Sequence, residues 1–232
     1  MKRMDGRKPD ELRPLVVQAG VLERAKGSAL VKIGRSVAVA AVYGPRRLHS
    51  KYLQDATKAI LQCTYTMVPF STDERVRPGN SRRSTEISKV MRESLEPAIF
   101  LEEFPKATID LHVNIIQADA STRVAAINAA SIALADAGIP MRDLVAACTA
   151  GKIDGEYVLD IAGKEEDVTG CDLPVAYMPK EKKITLLQMD GDLPIKDVKN
   201  VISLAIKGCE TLYEKQKEAL RKKWMEGVKS QI

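Results

Sequence analysis

Ser121, Thr122 and Arg123 stand where an alternating stretch hands over to a long apolar one. Two hydroxyls and a guanidinium suit a phosphate, and a helix beginning there would add unpaired backbone N–H groups and the positive end of its dipole. The same residues also fit an ordinary helix cap, Asp119 or Ser121, beside a surface arginine. Arg75, Arg77, Arg82 and Arg83 form a second cationic segment, four arginines within nine residues, on a Pro78-Gly79-Asn80 loop that leads into a helix. Such a loop suits a phosphodiester, because arginine binds phosphates without reading bases; a solvated or subunit-contacting face has the same composition. Glu165-Glu166-Asp167 and Asp172 supply carboxylates that could protonate a leaving oxygen or hold a divalent ion, although Asp172 also fits a strand-start cap. A third basic segment, Arg46-Arg47-Leu48-His49-Ser50-Lys51, follows a strand.

Nucleophile motifs are missing: there is no G-x-S-x-G, no G-x-x-x-x-G-K-[ST] and no H-E-x-x-H. The two histidines differ in setting, since His112 alternates within a strand and reads as structural, whereas His49 lies in the basic loop and could touch a ligand. Cys63, Cys148, Cys171 and Cys209 are widely spaced, which reads as reduced, buried thiols rather than a zinc site.

The elements that must position these groups are legible from periodicity. Leu15–Val21, Ser28–Ile33 and Val37–Val42 read as a meander, with Gly44-Pro45 ending the third strand; Ile60–Val68 reads as a further strand. The apolar stripe Ile87, Val90, Met91, Leu95, Ala98, Ile99 marks a helix whose Glu86 and Lys89, and Arg92 and Glu96, are spaced to pair in solvent. Ile109, Leu111, Val113 and Ile115 alternate as a strand. From Val124 to Ala137 the helix is apolar nearly all round, so it should be buried, and Gly138 and Pro140 should end it. Beyond Pro140, Leu144–Lys152 and Tyr157–Ile161 flank an Asp154-Gly155 turn, Asp172–Met178 and Lys183–Met189 form a hairpin, and a long helix closes the chain. Residues 1–13 lack periodicity and read as a partly ordered arm. The expectation is one α+β domain over 14–230, with halves of about 14–142 and 143–230. With 232 residues, 45% hydrophobic content and a net charge of +5, the chain reads as globular. It has no run long enough to span a membrane and no apolar leader at Met1-Lys2-Arg3, so a cytoplasmic location and no membrane partner are expected.

The words Asp5-Gly6-Arg7-Lys8-Pro9-Asp10-Glu11-Leu12-Arg13, Ala40-Ala41-Val42-Tyr43-Gly44-Pro45, Pro69-Phe70-Ser71-Thr72-Asp73-Glu74-Arg75, Ser81-Arg82-Arg83, Gln117-Ala118-Asp119-Ala120 and Ala133-Leu134-Ala135-Asp136-Ala137-Gly138-Ile139-Pro140 resemble the RNase PH family, and within it the catalytic RNase PH-like subunits of the archaeal exosome. The resemblance covers nearly the whole chain. It implies the RNase PH fold, mixed sheets with packed helices in two pseudo-related βαβ-containing halves. It also implies phosphorolysis: inorganic phosphate as co-substrate attacks the 3′-terminal phosphodiester of single-stranded RNA and releases a nucleoside diphosphate, and the reaction can run backwards as 3′ tailing.

Carried over by position, Ser121, Thr122, Arg123 and Arg83 would hold phosphate. Arg82, Arg83, Lys51, His49 and Arg46 would meet RNA. Asp172 would be the general acid or a ligand of Mg2+, and the family's second acidic position falls on Glu166 or Asp167, of which Asp167 is preferred as catalytic residue and metal ligand. The family usually has Gly where this chain has Ser121, and Gly lets backbone approach an anion closely. The implied partners are an inactive RNase PH-like paralogue in a hexameric ring, a trimer of heterodimers, with S1/KH-type RNA-binding cap subunits. The rival readings are a non-catalytic RNA-binding ring subunit and a homohexameric RNase PH trimming transfer-RNA 3′ ends. Asp172 together with Arg82, Arg83 and Arg123 argues against the first. Ser71-Thr72-Asp73-Glu74-Arg75 and Met141-Arg142-Asp143-Leu144 argue against the second.

Overall fold

The computed structural model describes residues 3, 5–48, 50–166 and 168–229, with side chains as far as 225. It is an α+β protein built on two sheets. The first has the order β1-β2-β3-β5-β4, from β1 (Leu15–Ala19), β2 (Gly27–Ile33), β3 (Ser36–Arg47), β4 (Ile60–Met67) and β5 (Ala107–Gln117). β1 to β3 form the expected meander; Gly34, with φ of +59°, opens the two-residue turn that sets Ile33 opposite Ser36. β3 does not stop at Gly44-Pro45. A register shift between Tyr43 and Arg46 absorbs the proline, which has no N–H to donate, and Arg46 and Arg47 rejoin the ladder opposite Thr108 and Ala107. The expected basic loop therefore begins inside a strand.

Helix α1 (Arg82–Leu95) makes the crossover between β4 and β5, the parallel pair of this sheet. It turns Ile87, Val90, Met91 and Leu95 inward. Helix α2 (Thr122–Asp136) follows β5, and thirteen of its fifteen residues are buried, so two layers must cover it. On one side lies the first sheet: a methyl on Gly27 of β2 would sit 2.2 Å from the Ala137 nitrogen and 2.3 Å from the Ala133 carbonyl oxygen. Gly138, at φ of +72°, ends the helix as expected; its N–H reaches the Ala135 carbonyl at 3.0 Å and the Ile139 N–H reaches Leu134 at 3.3 Å.

On the other side lies the second sheet, from β6 (Ala146–Ile153), β7 (Glu156–Leu159), β8 (Cys171–Met178), β9 (Lys183–Leu187) and β10 (Asp190–Gly191), with the one-turn helix α3 (Gly163–Glu166) between β7 and β8. Each of its pairings is antiparallel, in the order β10-β8-β6-β7 with β9 also beside β8. Helix α4 (Ile195–Lys229) closes this half by burying Val201, Ala205, Cys209 and Leu212 against it. The charged run before β1, expected as a partly ordered arm, is anchored where it is described: Arg3 and Arg13 are buried because their guanidiniums reach Glu165 and Asp160.

Asn128 joins α2 to the second sheet. Its side-chain NH2 donates to the carbonyls of Val124 (2.9 Å) and Ala147 (2.7 Å), while its oxygen accepts from the Ala147 N–H (3.0 Å) and from Gln216 of α4 (2.8 Å). Asn128→Ala leaves the Ala147 N–H and C=O unpaired in the interior. At about 1–3 kcal/mol for each orphaned group, it should cost at least about 2 kcal/mol. Urea unfolding should show a lower midpoint, and an unchanged midpoint would mean that another group replaces the amide.

Candidate functional site

The N-termini of α1 and α2 face β8, β10 and the end of α3 across a cleft of about 570 Å³. Arg82, Arg83, Glu86, Ser121, Thr122, Arg123, Glu166, Asp172, Gln188 and Asp190 line it, together with Thr149. Ser81 caps α1: its hydroxyl accepts the Ser84 N–H at 3.0 Å, and the Ser84 hydroxyl accepts the Ser81 N–H at 2.7 Å. Arg82 and Arg83 thus occupy the first turn, where a cation is unfavourable beside the positive end of the dipole. That placement costs stability and concentrates positive potential at the cleft.

The second cationic corner forms where β5 passes into α2. Ala120 and Ser121 both have positive φ, 58° and 54°. The Ser36 hydroxyl donates to the Ala120 carbonyl (2.7 Å) and accepts the Asp119 N–H (2.8 Å), and Arg13 donates to the Asp119 carbonyl at 2.7 Å. Ser121 holds the N-cap position, but its side chain makes no capping bond. Its hydroxyl instead donates to the Ile161 carbonyl (3.2 Å) and lies 3.2 Å from that of Thr149. The Thr122 hydroxyl accepts from Tyr65 at 3.0 Å. The ordinary-cap alternative is therefore wrong in detail. Both hydroxyls are engaged by the protein, and the N–H groups of the first turn of α2, which have no intrahelical acceptor, are left for an anion.

Arg123 is held between elements. One guanidinium nitrogen donates to Gln188 Oε1 at 2.7 Å and the other to both Glu86 carboxylate oxygens at 3.1 Å, while its buried Nε has no partner. Glu86 does not pair with Lys89 as its spacing suggested; Lys89 reaches Glu93 instead, at 3.7 Å. The Arg92–Glu96 pair forms as expected, at 3.8 Å.

Asp172 faces these cations from β8, opposite Gly151 of β6 and Asp190 of β10. Its Oδ1 is buried without a hydrogen-bond partner. Burial first, then the neighbouring Glu166, push its carboxyl up to about 6; Asp190 and Asp160 add to this and Arg123 opposes it. Beside Glu166, Glu165 turns the other way and is fully buried. Burial works to raise its carboxyl, but the bonds from Arg3 and the Ala162 N–H hold it below the usual range.

The cleft thus gathers Arg82, Arg83, Ser121, Thr122, Arg123 and Asp172 of the residues picked from sequence. Of the two acidic candidates, Glu166 lines it; Asp167 lies outside the described residues, as does His49. Arg46 and Lys51 are not among the lining residues. Arg46 pairs with the buried Asp110 from the strand, and Lys51 starts an exposed helical turn, Lys51–Leu53. Glu86, Gln188, Thr149 and Asp190 escaped the sequence reading. Only Glu86 carried a local signal, its place one turn after Arg82 and Arg83.

Comparison with known proteins agrees over almost the whole chain. Residues 11–140 match domain 1 of the RNase PH 3′ exoribonuclease family and residues 143–208 match domain 2. The chain is 57% identical over 222 residues to the exosome complex component Rrp41 of Methanopyrus kandleri, covering 96% of this chain and 93% of that protein. It is 56% identical to the protein of the same name from Pyrococcus horikoshii, covering 97% and 90%. Among solved structures it is similar to rice Rrp46, with a TM-score of 0.86 at 25% identity, covering 94% of this chain and 100% of that one. The Archaeoglobus fulgidus exosome with RNA bound to its active site shares the fold, with a TM-score of 0.81 at 22% identity over 92% of each chain.

The raised carboxyl of Asp172 fixes a sign for stability. A group whose folded pKa is above its unfolded value of 3.8 favours the fold only when protonated, so the contribution of Asp172 to stability should fall as pH rises from about 4 to 6. Asp172→Asn should match wild type near pH 3.5 and exceed it above pH 6 by up to about 3 kcal/mol. Melting curves of both proteins with chelator across this range provide the check. Equal stability at pH 7 would place Asp172 in a solvated or paired setting.

Proposed function

We propose, from the premise that this chain belongs to the RNase PH family of 3′ exoribonucleases, that the cleft between α1, α2 and β8 is its phosphorolytic centre. The chain is a 3′-to-5′ exoribonuclease subunit of the exosome type, and inorganic phosphate is its co-substrate. The observation that carries the assignment is the opposition of a cationic wall to a raised carboxyl: Arg82, Arg83, Arg123 and the α2 N-terminus face Asp172 and Glu166.

Phosphate is itself the nucleophile, so no Ser, Cys or His is needed. It sits at the first turn of α2 against Arg123 and Arg83, where the unpartnered Arg123 Nε is one donor in waiting. Arg82 and Arg83 hold the last phosphates of the RNA by charge, without reading bases. A phosphate oxygen attacks the terminal phosphorus, the bond to the penultimate 3′-oxygen breaks, and that oxygen needs a proton. Asp172, poised near 6, supplies it, and the terminal nucleotide leaves as a diphosphate. Catalysis is then mostly positioning and charge stabilisation.

The acid wall also fits Mg2+. That ion takes one or two carboxylates and completes its shell with water and substrate phosphates, and the orphaned Asp172 Oδ1 beside Glu166 offers such a pair. No group of three ligating side chains is assembled among the described residues, so substrate would complete the shell. The ion would neutralise phosphoryl charge, and Asp172 as its ligand would stay ionised, so holding the ion is the alternative to donating the proton and not an addition to it. Glu166 lines the cleft and is one reading of the family's second acidic position; Asp167, the other, lies outside the described residues. A ring partner of the RNase PH type and RNA-binding caps belong to the same reading, supported by relatives named as components of an exosome complex. Among the described residues no helix is long and apolar enough to cross a membrane.

The test follows a 5′-labelled single-stranded RNA, in the assembled complex, with and without phosphate. Shortening should require phosphate and yield nucleoside diphosphates, and Asp172→Ala should slow it about 100-fold or more. Arg123→Lys should raise the phosphate KM severalfold, because a single ammonium nitrogen cannot reproduce the separated donors that reach Gln188 and Glu86 while Nε is left for an anion. Phosphate-independent release of monophosphates would sink the assignment.

A further inference from the structure

Behind the cleft lies a cluster of buried charge that the proposed chemistry does not touch. Arg3, 3% exposed, donates from Nε and Nη2 to the two oxygens of Glu165, at 3.0 and 2.6 Å. Its other bonds go to the carbonyls of Leu159 (2.7 Å), Asp160 (2.8 Å) and Glu11 (3.4 Å). Glu165 also accepts the Ala162 N–H at 3.0 Å, so one carboxylate ties Arg3 to both ends of the 162–165 turn. Ten residues on, Arg13 makes a matching fork to Asp160, at 2.9 and 2.6 Å, and reaches the Asp119 carbonyl. The two arginines thus hold opposite walls: Arg3 the turn that ends at Glu166, and Arg13 the backbone just before the Ala120-Ser121 corner.

We propose that Arg3 is a positioning residue of the reaction, which sets Glu166 against Asp172 by gripping Glu165, while Arg13 sets the anion corner. The proposal rests on the assignment of Glu166 to the acid wall. Neither arginine lines the cleft, so each acts through the segment it holds. Geometry of this kind matters because a displacement of about 1 Å in a reacting group can cost about 100-fold in rate. Arginine is required, since lysine cannot serve two carboxylate oxygens and two carbonyls in one plane. The grip is also short and local: Glu165 is adjacent to Glu166 in a single helical turn, which leaves little slack between the buried fork and the cleft.

The experiment measures steady-state phosphorolysis in the assembled complex, well below the melting temperature of every variant. Arg3→Lys should lower kcat about tenfold or more, with phosphate KM and RNA affinity within about twofold of wild type. Arg13→Lys should mainly raise the phosphate KM. A purely structural anchor is separated by the double variant Arg3→Met with Glu165→Leu, which removes both charges and keeps the volume. It should recover melting temperature without recovering kcat. An unchanged kcat in Arg3→Lys, parallel changes in kcat, KM and RNA affinity, or recovery of kcat in the double variant would each overturn the proposal. Glu166→Gln separates the two layers. If it is inactive while Arg3→Lys is normal, the assignment of Glu166 stands and the role of Arg3 falls; if it is fully active, both fall.

Discussion

The amide of Asn128 is the constraint on which the site depends. A helix buried between two sheets has no polar face, so its rotation and sliding are fixed by shape alone unless a polar group intervenes. Asn128 does this by pairing with both the N–H and the C=O of Ala147, a match that holds in one register only. Six residues upstream the same helix begins at Thr122, and two residues beyond Ala147 the same strand carries Thr149 into the cleft. The strand beside it carries Asp172. That fully satisfied amide, together with the Ser131 hydroxyl that accepts the Val145 N–H at 2.8 Å, sets the distance between the anion corner and the raised carboxyl. Gln216 adds α4 to the lock through its 2.8 Å bond to Asn128. Interior polar groups specify in this way because any shift would leave them unpaired at a cost of kilocalories.

Around that lock the charges are arranged against local stability. Arg82 and Arg83 sit at the wrong end of a helix dipole, and Asp172 is buried with an unpartnered oxygen. Arg123 is the exception, because Glu86 and Gln188 already hold two of its nitrogens. The difference follows from task. On the proposed reading, an arginine that must present one donor to a small, mobile anion gains from a fixed pose, whereas the helix-start arginines would meet a flexible polymer whose phosphates can adjust to them. On the same reading, bound phosphate would relieve the arginines and favour the protonated form of Asp172, the form that can donate to a leaving oxygen.

Much of this was legible in the sequence, and the reasons differ by element. The burial of α2 showed in its alanine-rich pattern without a polar stripe, and its end showed in Gly138. Asp172 and the arginines sit at element boundaries, where a cap or a solvated face is an equally good local reading, and it was the resemblance to the RNase PH family that marked them as a site. The continuation of β3 through Gly44-Pro45 did not show, because a bulge is a compromise between two strands and leaves no one-strand signature. The anchoring of Arg3, Arg7 and Arg13 was invisible for a similar reason. Arg3, Arg7 and Arg13 look like solvated charges until Asp160 and Glu165 arrive from about 150 residues away. Glu86 misled by offering a plausible partner in Lys89, when a tertiary partner, Arg123, was stronger.

Ser121 carries both a left-handed backbone and a tie between the two sheets. The resemblance implies a glycine at this position, and the φ of +54° suits one: the backbone turns left-handed just before the first N–H groups of α2. For a residue with a Cβ that conformation costs about 1–2 kcal/mol. The serine hydroxyl makes two hydrogen bonds, to Ile161 and with Thr149, each worth about 0.5–1.5 kcal/mol net. The terms are of equal size, so serine is tolerated at this corner only because its side chain has somewhere to go. Those two bonds run from α2 to the second sheet and its 159–162 turn, the same joint that Asn128 and Arg13 span. Flexibility that glycine would leave in the corner is thereby exchanged for one more tie across the joint, and the anion corner becomes part of the lock.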